Sequence, residues 1–384
     1  LVLGGFEPDA KLFDVTSTNG NVPFLELPED WEQFEPFMLA GLNRVPALSD
    51  SGIQHFMNGP ESFTPDTKQL MGEAPEVRSY FVAAGFNSIG IISSAGAGRV
   101  MADWVADGHS SMDVSDLDIA RFEPDMSTDE FLDRRVQEAV AGQFEIHWPY
   151  KRMKTGRNLR HLPCHDIWQD AGAVFSSPAG WERPMWFAPG QHDDSSAYSY
   201  GEQAWWPHSK LECLAARDAS VLIDLSPFSK FEVSGPAALT ELQGIYSADI
   251  AVPAGQSVYT QLLNEKGGIQ ADGTVTRLDD GRYLFAGAAP SRRRDLAWFG
   301  KHTGDAVLKD VTRDYAVLAL MGPKAADTWL AAGGDPAAIN QPFASNADYL
   351  LDGIQLRALR ISFIGEFGWE LYVPWTGAPR IARL

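Results

Sequence analysis

The spacing of hydrophobic residues predicts an amphipathic helix near the start of the chain. Between residues 28 and 45, one helical face carries Trp31, Phe34, Phe37, Met38 and Leu42. Pro36 lies inside this pattern, and a proline interrupts the hydrogen bonding of a helix interior. We therefore predict either a kink at Pro36 or two short helices.

A second helix is predicted in the stretch STDEFLDRRVQEAVAG, residues 127–142. Ser127 and Thr128 are N-cap candidates, because their hydroxyl groups can accept a hydrogen bond from a free N–H group of the first turn. Asp129 and Glu130 place negative charge in that turn, where the helix dipole favours it. The surrounding sequence is irregular and rich in proline, tryptophan and histidine.

The pattern changes at about residue 202. Five short alternating runs predict β-strands: KFEVSG, RYLFAGA, YAVLALMG, LRALRISF and WELYVP. Three runs with helical spacing are interleaved with them: PAALTELQGI, SRRRDLAWFGKH and PKAADTWLAAGG. This mixture indicates an α+β fold rather than a regular array of βαβ units.

The stretch from Gly85 to Gly108 is similar to the opening of a dinucleotide-binding unit. Two strand-like runs, SYFVAAGF and SIGIIS, precede the triplet GAG at 96–98 and a segment with helical spacing. However, the fingerprint G-x-G-x-x-G fails at its last position, Met101, and polar sequence replaces the expected second strand. Three interpretations stay open: a cofactor-opening loop, a tight packing turn, or a fold that returns to its nucleotide late in the chain.

The charge of the chain excludes some partners. Among 384 residues, 31 are basic and 51 acidic, giving a net charge of −20. Nucleic acid and anionic membrane surfaces would be repelled, and no apolar run reaches the roughly 18 residues of a membrane helix. The two cysteines, Cys164 and Cys213, indicate a reducing compartment rather than a secreted disulfide framework.

One cluster has residue types typical of metal ligands: His161, Cys164, His165 and Asp166. Pro163 interrupts any helical face that these residues could share, and a second ligand pair with zinc-like spacing is missing. We therefore predict no metal site.

The sequence NGPESFTPDTKQLMGEAPEVRSYFVAAGFNSIGIISSAGAG resembles the end of the flavin domain in the dimethylglycine and sarcosine dehydrogenase family. The resemblance implies the returning half of a D-amino-acid-oxidase-like α/β domain that binds FAD. Six residues are implied to line the flavin ring: Asn87, Ser88, Ile89, Gly90, Ile91 and Ile92. Because the family's phosphate-binding fingerprint is not in the sequence, which begins at Leu1, we expect an internal fragment of a longer chain.

The rest of the chain carries the same resemblance. The segment with GAVF and GWERPMWF is similar to the connecting region of those enzymes. The blocks VLIDLSPFSKFEVSGPAA, YTQLLNEKGGIQADGTVTRL, YAVLALMGPKAA and ISFIGEFGWELYVP resemble the aminomethyltransferase (glycine-cleavage T-protein) fold. We predict a flavin-domain part at 1–113, a connecting domain at 114–201, and a T-protein-like α+β folate domain at 202–384, truncated at its C-terminus.

In the T-protein-like segment, the resemblance implies that GGIQADGTV is a turn presenting a folate-site carboxylate. Many relatives have two acids there, whereas this chain has Ala271 and Asp272. A carboxylate beside the attacking tetrahydrofolate nitrogen orients it and stabilises positive charge, so Asp272 is the catalytic candidate. The alternative is that Asp272 is only a turn former before glycine.

The block SFIGEFGWELY resembles the second folate element. Phe363 stands where relatives commonly have a tyrosine, and Glu370 resembles the acid that holds the pterin edge. The alternative for Glu370 is an outward strand residue, because Trp369 and Leu371 alternate with it. The arginines at 292–294 could attract a polyglutamate tail, but we interpret them as a solvated helix face.

Together, the resemblances imply FAD-dependent oxidative demethylation of dimethylglycine or sarcosine, with transfer of the one-carbon unit to tetrahydrofolate. An electron-transfer flavoprotein or oxygen would reoxidise the flavin, in the cytoplasm or, in a eukaryote, the mitochondrial matrix. The alternative is a non-catalytic folate-binding or structural module, which Ala271 and Phe363 favour.

Overall fold

The computed structural model describes residues 2–7, 9–14, 16, 24–143, 152–190 and 200–384. The chain divides into two compact units, one formed by 1–119 with 124–156 and the other by 120–123 with 157–384. Each unit has its own hydrophobic core. The division at 113 and 201 stays a prediction, and parts of its connecting segment (144–151 and 191–199) lie outside the described residues.

The first unit contains three α-helices and an antiparallel strand pair: α1 (Trp31–Arg44), β1 (Leu70–Glu73), β2 (Phe81–Ala84), α2 (Gly90–Asp107) and α3 (Asp129–Ala141). Helix α1 runs as one element across Pro36, so the alternative of two short helices is wrong, and the kink at Pro36 stays a prediction. Pro36 lies early in the helix, where its missing N–H group removes a single intrahelical bond. Asp30 caps the helix by accepting a hydrogen bond from the Gln33 N–H group.

Helix α2 corrects the prediction for Gly85 to Gly108. SIGIIS is not a strand, because the chain turns after β2 through positive φ angles at Asn87 and Ser88, and the helix begins at Gly90. Gly96 and Gly98 therefore lie inside the helix rather than in a strand-to-helix turn. Val100 packs against Met71 of β1, and Gly108 ends the helix in the left-handed conformation.

Helix α3 confirms its predicted start. The Thr128 hydroxyl accepts a hydrogen bond from the Phe131 N–H group at 3.3 Å, and Asp129 and Glu130 lie in the first turn. The N-cap therefore satisfies one of the free donors at this end of the helix.

The second unit contains the predicted α+β elements. Its helices are α4 (His165–Asp170), α5 (Trp206–Asp218), α6 (Ala238–Gln243), α7 (Arg292–His302), α8 (Ala325–Ala331) and α9 (Ala378–Ile381). Its strands are β3 (Arg160–His161), β4 (Ala173–Ser176), β5 (Trp181–Phe187), β6 (Val221–Asp224), β7 (Ser229–Ser234), β8 (Ser257–Leu263), β9 (Ile269–Asp279), β10 (Arg282–Gly287), β11 (Val307–Asp310), β12 (Tyr315–Met321), β13 (Asn346–Leu351), β14 (Ile354–Leu359) and β15 (Gly368–Pro374). The five strands and three helices predicted beyond residue 202 are confirmed.

Two five-stranded antiparallel sheets dominate this unit, with strand orders β11-β7-β10-β9-β8 and β13-β14-β15-β12-β6. A smaller sheet has the order β3-β5-β4. Side chains alternate between the two faces of a strand. Each five-stranded sheet has buried apolar side chains on both faces. The faces turned toward each other share a hydrophobic cluster, here called the inter-sheet core: Leu225, Leu284, Ala286, Val311, Val317, Ala319, Met321, Leu359 and Tyr372.

The outer faces of the two sheets are covered by helices. Phe231 and Phe285 of the first sheet pack with Phe299 of α7. Trp369 of the second sheet packs against Trp329 of α8, with ring centroids 5.8 Å apart. Strands β7 and β15 therefore carry buried side chains on both faces, and a charged side chain on them can lie within an apolar layer.

Candidate functional site

Glu370 lies in the middle of the second sheet. On β15 it pairs with Ala319 of β12 and Leu359 of β14, and both neighbours belong to the inter-sheet core. Its side chain is buried, with 5 % of the residue exposed. Trp369 and Leu371 belong to the core on the opposite face. The interpretation of Glu370 as an outward strand residue is therefore wrong, because both faces of this strand are buried.

The Glu370 carboxyl has few hydrogen-bond partners for a buried acid. The Tyr372 hydroxyl donates to its Oε2 atom at a long 3.4 Å. Burial raises the pKa of Glu370 to about 7, against the opposing effects of this hydrogen bond and of the Lys230 charge. A carboxylate accepts hydrogen bonds at both oxygens, so Glu370 keeps capacity for a donor pair. The chemistry of this group fits the amino and ring N–H donors of a pterin.

Lys230 is a functional candidate that sequence analysis missed. It lies on β7 opposite Ala286, so its side chain enters the inter-sheet core, and none of the residue is exposed. Its Nζ atom donates to the Ser226 carbonyl oxygen at 2.8 Å. Burial lowers the pKa of Lys230 to about 7, opposed by the charges of Asp224, Asp310 and Glu370. The available signal was a lysine next to Phe231 in the predicted strand KFEVSG.

Asp224 ends β6 beside this lysine. Its carboxylate accepts hydrogen bonds from the Trp168 indole at 2.8 Å and from the Ser226 N–H group at 3.0 Å. Burial is the main cause that raises its pKa. We call Asp224, Lys230, Glu370 and Tyr372 the buried acid–lysine cluster. Such groups are costly to bury without full pairing, which makes this cluster the strongest candidate for a functional site in the second unit.

Asp272 is a strand residue, which corrects the predicted turn at GGIQADGTV. The turn lies earlier, where the Gly267 N–H group bonds to the Asn264 carbonyl, and β9 has begun before Asp272. The exposed carboxylate of Asp272 accepts a hydrogen bond from the Tyr259 hydroxyl. No hydrogen bond or ion pair joins Asp272 to Glu370 in the described part of the chain.

Register places Asp272 on the sheet face that carries the inter-sheet core. Thr274, two residues further along β9, pairs with Ala286 of that core. Ala271 instead belongs to the core on the opposite face. An acid at 271 would point into that apolar layer, away from the face of Asp272. The alanine thus leaves the surroundings of Asp272 unchanged.

Phe363 lies in the loop before β15. It is exposed, and its ring contacts Phe228 edge-on, with centroids 6.1 Å apart. Phe228 immediately precedes β7, the strand that carries Lys230. Phe363 therefore lies beside the start of the strand that supplies the buried lysine, with its ring free to contact a ligand.

The interpretation of the arginines at 292–294 as a solvated helix face is wrong. Arg292 forms ion pairs with Glu123 and Asp310. Arg293 donates to the Phe122 carbonyl oxygen, and Arg294 donates to the Gln270 carbonyl oxygen and pairs with Asp295. Arg292 and Arg293 at the start of α7 therefore anchor residues 122 and 123, and Arg294 holds the start of β9.

The flavin candidates lie in the first unit. Asn87 is 2 % exposed, and its side chain donates to the Gly85 carbonyl oxygen and accepts from the Thr64 N–H group at 2.8 Å. The Ser88 hydroxyl donates to Glu61. Both side chains are thus already paired at the turn before α2, Asn87 in the interior and Ser88 at the surface.

The remaining four flavin candidates form the start of α2. Ile89 occupies the N-cap position without a side-chain hydrogen bond, and Gly90 is the first helical residue. Ile91 is 96 % exposed and Ile92 is 84 % exposed. A helix start without a capping side chain has free N–H groups that favour electronegative atoms. Together with two exposed apolar side chains, this end of α2 fits the mixed polar and apolar surface of a flavin.

The four residues with side chains typical of metal ligands divide between surface and core: His161 and Asp166 are exposed, and Cys164 and His165 are buried. The His161 and His165 rings stack with centroids 3.9 Å apart, and Cys164 lies in the core with Trp168. Burial raises the pKa of the Cys164 thiol to about 12. Within the described ranges, no group of three or more histidine, cysteine, aspartate or glutamate side chains could hold a metal ion. A search of the same residues finds no helix long and apolar enough to cross a membrane.

Three family models match successive parts of the sequence. Residues 1–104 match the FAD dependent oxidoreductase family, 107–161 match the FAD dependent oxidoreductase central domain, and 164–383 match the GCVT N-terminal domain. The last match covers more than half of the chain. The order of the three domains is the one that the sequence motifs implied.

Curated relatives match the chain over nearly its whole length. It is 37 % identical to 4-methylaminobutanoate oxidase (formaldehyde-forming) of Paenarthrobacter nicotinovorans and 34 % identical to human mitochondrial sarcosine dehydrogenase. It is 33 % identical to the mouse mitochondrial pyruvate dehydrogenase phosphatase regulatory subunit. Each comparison covers 97 % of this chain, and the chain spans 44–45 % of the length of these relatives.

Proposed function

Because the chain belongs to the dimethylglycine and sarcosine dehydrogenase family, we propose that it serves FAD-dependent oxidative demethylation of an N-methylated glycine. The substrate is dimethylglycine or sarcosine, and the one-carbon unit passes to tetrahydrofolate. The second unit supplies the folate site, and the first unit supplies residues toward the flavin.

The buried carboxyl of Glu370 carries this proposal. A buried acid costs stability unless a partner compensates it, and among the described residues Glu370 has only a long hydrogen bond from Tyr372. A pterin offers adjacent N–H donors that a carboxylate accepts at both oxygens. Binding of a pterin would therefore supply hydrogen-bond donors to the Glu370 carboxyl.

Asp272 is assigned to the transfer step. Oxidation of an N-methyl group leaves an electrophilic iminium, and one tetrahydrofolate nitrogen attacks its carbon while losing a proton. The original C–N bond then breaks, the demethylated amine leaves protonated, and the second tetrahydrofolate nitrogen closes the methylene bridge with loss of its proton. The exposed carboxylate of Asp272 accepts that proton or stabilises the positive charge, and the Tyr259 hydroxyl fixes its orientation. Retaining the iminium in an enclosed site prevents its hydrolysis to formaldehyde.

Bound FAD supplies the acceptor for the hydride of the N-methyl group. In this chain, the N–H groups at the start of α2 and the side chains of Ile91 and Ile92 would contact it. Asn87 and Ser88 act indirectly, because their side chains hold the turn that sets the start of the helix. An electron-transfer flavoprotein or oxygen takes up the electrons. The proposed location is the cytoplasm, or the mitochondrial matrix in a eukaryote.

A non-catalytic folate-binding or structural module is the second candidate. The similarity to a phosphatase regulatory subunit favours it, because that relative's name describes regulation rather than oxidation. The departures at Ala271 and Phe363 point the same way. Against it, Ala271 faces the opposite core and leaves the surroundings of Asp272 intact.

Formaldehyde release by the complete protein separates the two candidates. Flavin reduction is first measured with sarcosine, dimethylglycine and 4-methylaminobutanoate as substrates. With the substrate that reduces the flavin, added tetrahydrofolate should suppress formaldehyde and yield 5,10-methylenetetrahydrofolate. Flavin reduction with unchanged formaldehyde release would contradict folate transfer, and absence of flavin reduction with all three amines would support the non-catalytic module.

A further inference from the structure

We propose that Lys230 is a positioning residue for Glu370: its buried ammonium group keeps the Glu370 carboxylate ionised and able to accept a ligand's N–H donors. The inference rests on the proposed folate site, because it explains how a buried acid at that site stays competent to bind. Lys230 itself has no exposed surface and acts through Glu370.

The two side chains enter one layer from opposite sheets. Lys230 pairs with Ala286 on the first sheet, and Glu370 pairs with Ala319 on the second. Both alanines belong to the inter-sheet core, so the ammonium group and the carboxyl group point into the same apolar layer. Charges in such a layer are weakly screened, which makes their mutual attraction strong.

Hydrogen bonds hold both the backbone and the end of the side chain of Lys230 in place. Its Nζ atom donates to the Ser226 carbonyl oxygen at 2.8 Å, and the Lys230 N–H group donates to the Thr312 hydroxyl at 3.0 Å. The Ser226 N–H group in turn bonds to Asp224. Both the backbone and the end of this side chain are therefore fixed, so the charge has a defined position.

Among the carboxylates that face Lys230, Glu370 is the one with the fewest partners. Asp310 is paired with Arg292, and Asp224 accepts hydrogen bonds from Trp168 and Ser226. Glu370 has the single 3.4 Å hydrogen bond from Tyr372, a neutral phenol whose pKa burial raises well above its usual value. The Lys230 charge interacts more strongly with Asp224 and Asp310, but Glu370 is the carboxylate with the least other support for its negative charge.

The ligand-free chain gives the first test. Carbon-13 NMR of labelled glutamate carboxyls, assigned with Glu370→Gln, reports the pKa of Glu370 directly. In Lys230→Met, this pKa should rise by about one unit or more, because an opposite charge favours the ionised acid. The control Lys309→Met removes an exposed lysine of the neighbouring strand β11 and should leave it unchanged. An unchanged pKa of Glu370 in Lys230→Met would overturn the proposal.

A second variant keeps this test decisive if Lys230→Met does not fold. Lys230→Gln keeps a side-chain N–H donor but removes the charge, so the pKa of Glu370 should rise as in Lys230→Met. A pKa of Glu370 that stays constant or falls in Lys230→Gln would overturn the proposal as well.

Binding of 5-formyltetrahydrofolate to the chain at several pH values gives the second test. Lys230→Met should weaken binding about tenfold or more near pH 7 and less than about twofold near pH 9.5, where Glu370 is ionised without help. Weakening by the same factor at every pH would indicate a merely structural role and overturn the proposal. If the wild-type chain does not bind the ligand, the folate site fails, while the NMR result still decides whether Lys230 controls Glu370.

Discussion

The start of α2 and the buried acid–lysine cluster were both candidate cofactor regions, but the structure builds them in opposite ways. At the start of α2, the polar side chains of Asn87 and Ser88 are paired, and the apolar side chains of Ile91 and Ile92 are exposed. In the cluster, Glu370 and Lys230 are ionisable, buried and sparsely paired. The difference shows two ways to leave binding capacity: uncovered apolar surface, and buried ionisable groups with few partners.

The largest effect is expected at Asp272. In the complete protein, Asp272→Asn should slow one-carbon transfer by roughly 10²–10⁴-fold, the usual contribution of a positioned acid–base group. Flavin reduction by the amine should change little, because oxidation takes place in the other region. Stopped-flow flavin absorbance and methylenetetrahydrofolate formation measure the two steps. Asp279→Asn, on the same strand but paired with Arg282, is the control. If Asp272→Asn transferred the one-carbon unit at the wild-type rate, Asp272 would have no catalytic role.

Glu370→Gln should weaken folate binding by about 10- to 150-fold, because charge-assisted hydrogen bonds contribute roughly 1.5–3 kcal/mol. Glutamine keeps the size and one acceptor oxygen but places an N–H donor opposite the donors of a pterin. Calorimetric titration with 5-formyltetrahydrofolate measures the change. If wild type and Glu370→Gln bound 5-formyltetrahydrofolate with equal affinity, Glu370 would not contact the ligand. The buried acid–lysine cluster would then not be a folate site.

The same substitution should stabilise the fold above neutral pH. The pKa of Glu370 is about 7 in the folded chain, against an ordinary value of 4.5 for a glutamate side chain in water. The folded state therefore holds the proton more tightly, and stability falls as pH rises from the lower value to the higher. Glu370→Gln avoids this loss, so it should match wild type near pH 4 and exceed it by about 3 kcal/mol near pH 8. Urea unfolding at several pH values measures the difference. If the difference in free energy of unfolding between the two proteins did not change with pH, the pKa of Glu370 would not be raised in the folded state.

The smallest effects are expected at the start of α2, where two substitutions distinguish a residue that stabilises the fold from a residue that contacts the flavin. Asn87→Ala should cost about 1–3 kcal/mol of stability, because it leaves the buried Thr64 N–H group without its acceptor. Ile91→Ser should change stability by less than about 0.5 kcal/mol, since this side chain is exposed, and should weaken flavin binding. Urea unfolding and flavin fluorescence measure the two quantities. If Asn87→Ala left stability unchanged but removed flavin binding, Asn87 would be a direct ligand contact.

Sequence patterns identified strands and helices well where each element had one strong signal. KFEVSG and WELYVP became β7 and β15, and the STDE start of α3 was confirmed because its cap is local. The run SIGIIS was misread, since an apolar stretch of this length suits a strand or a helix equally. The chain instead turns at Asn87, which has a positive φ angle, and the helix begins at Gly90. The Asn87 side chain in this turn accepts a hydrogen bond from the distant Thr64 N–H group.

The sequence by itself determined the family, the order of the three domains and the α+β character of the second unit, because these follow from ordered motifs and local spacing. Tertiary structure alone decided what the charged residues do. Glu370 alternates with apolar neighbours as an outward residue would, yet a second sheet covers its face. Lys230 gained its role in the same way, from a carboxylate 140 positions further along the chain. Burial and charge pairing arise from packing between distant strands, and spacing within one strand carries no record of them.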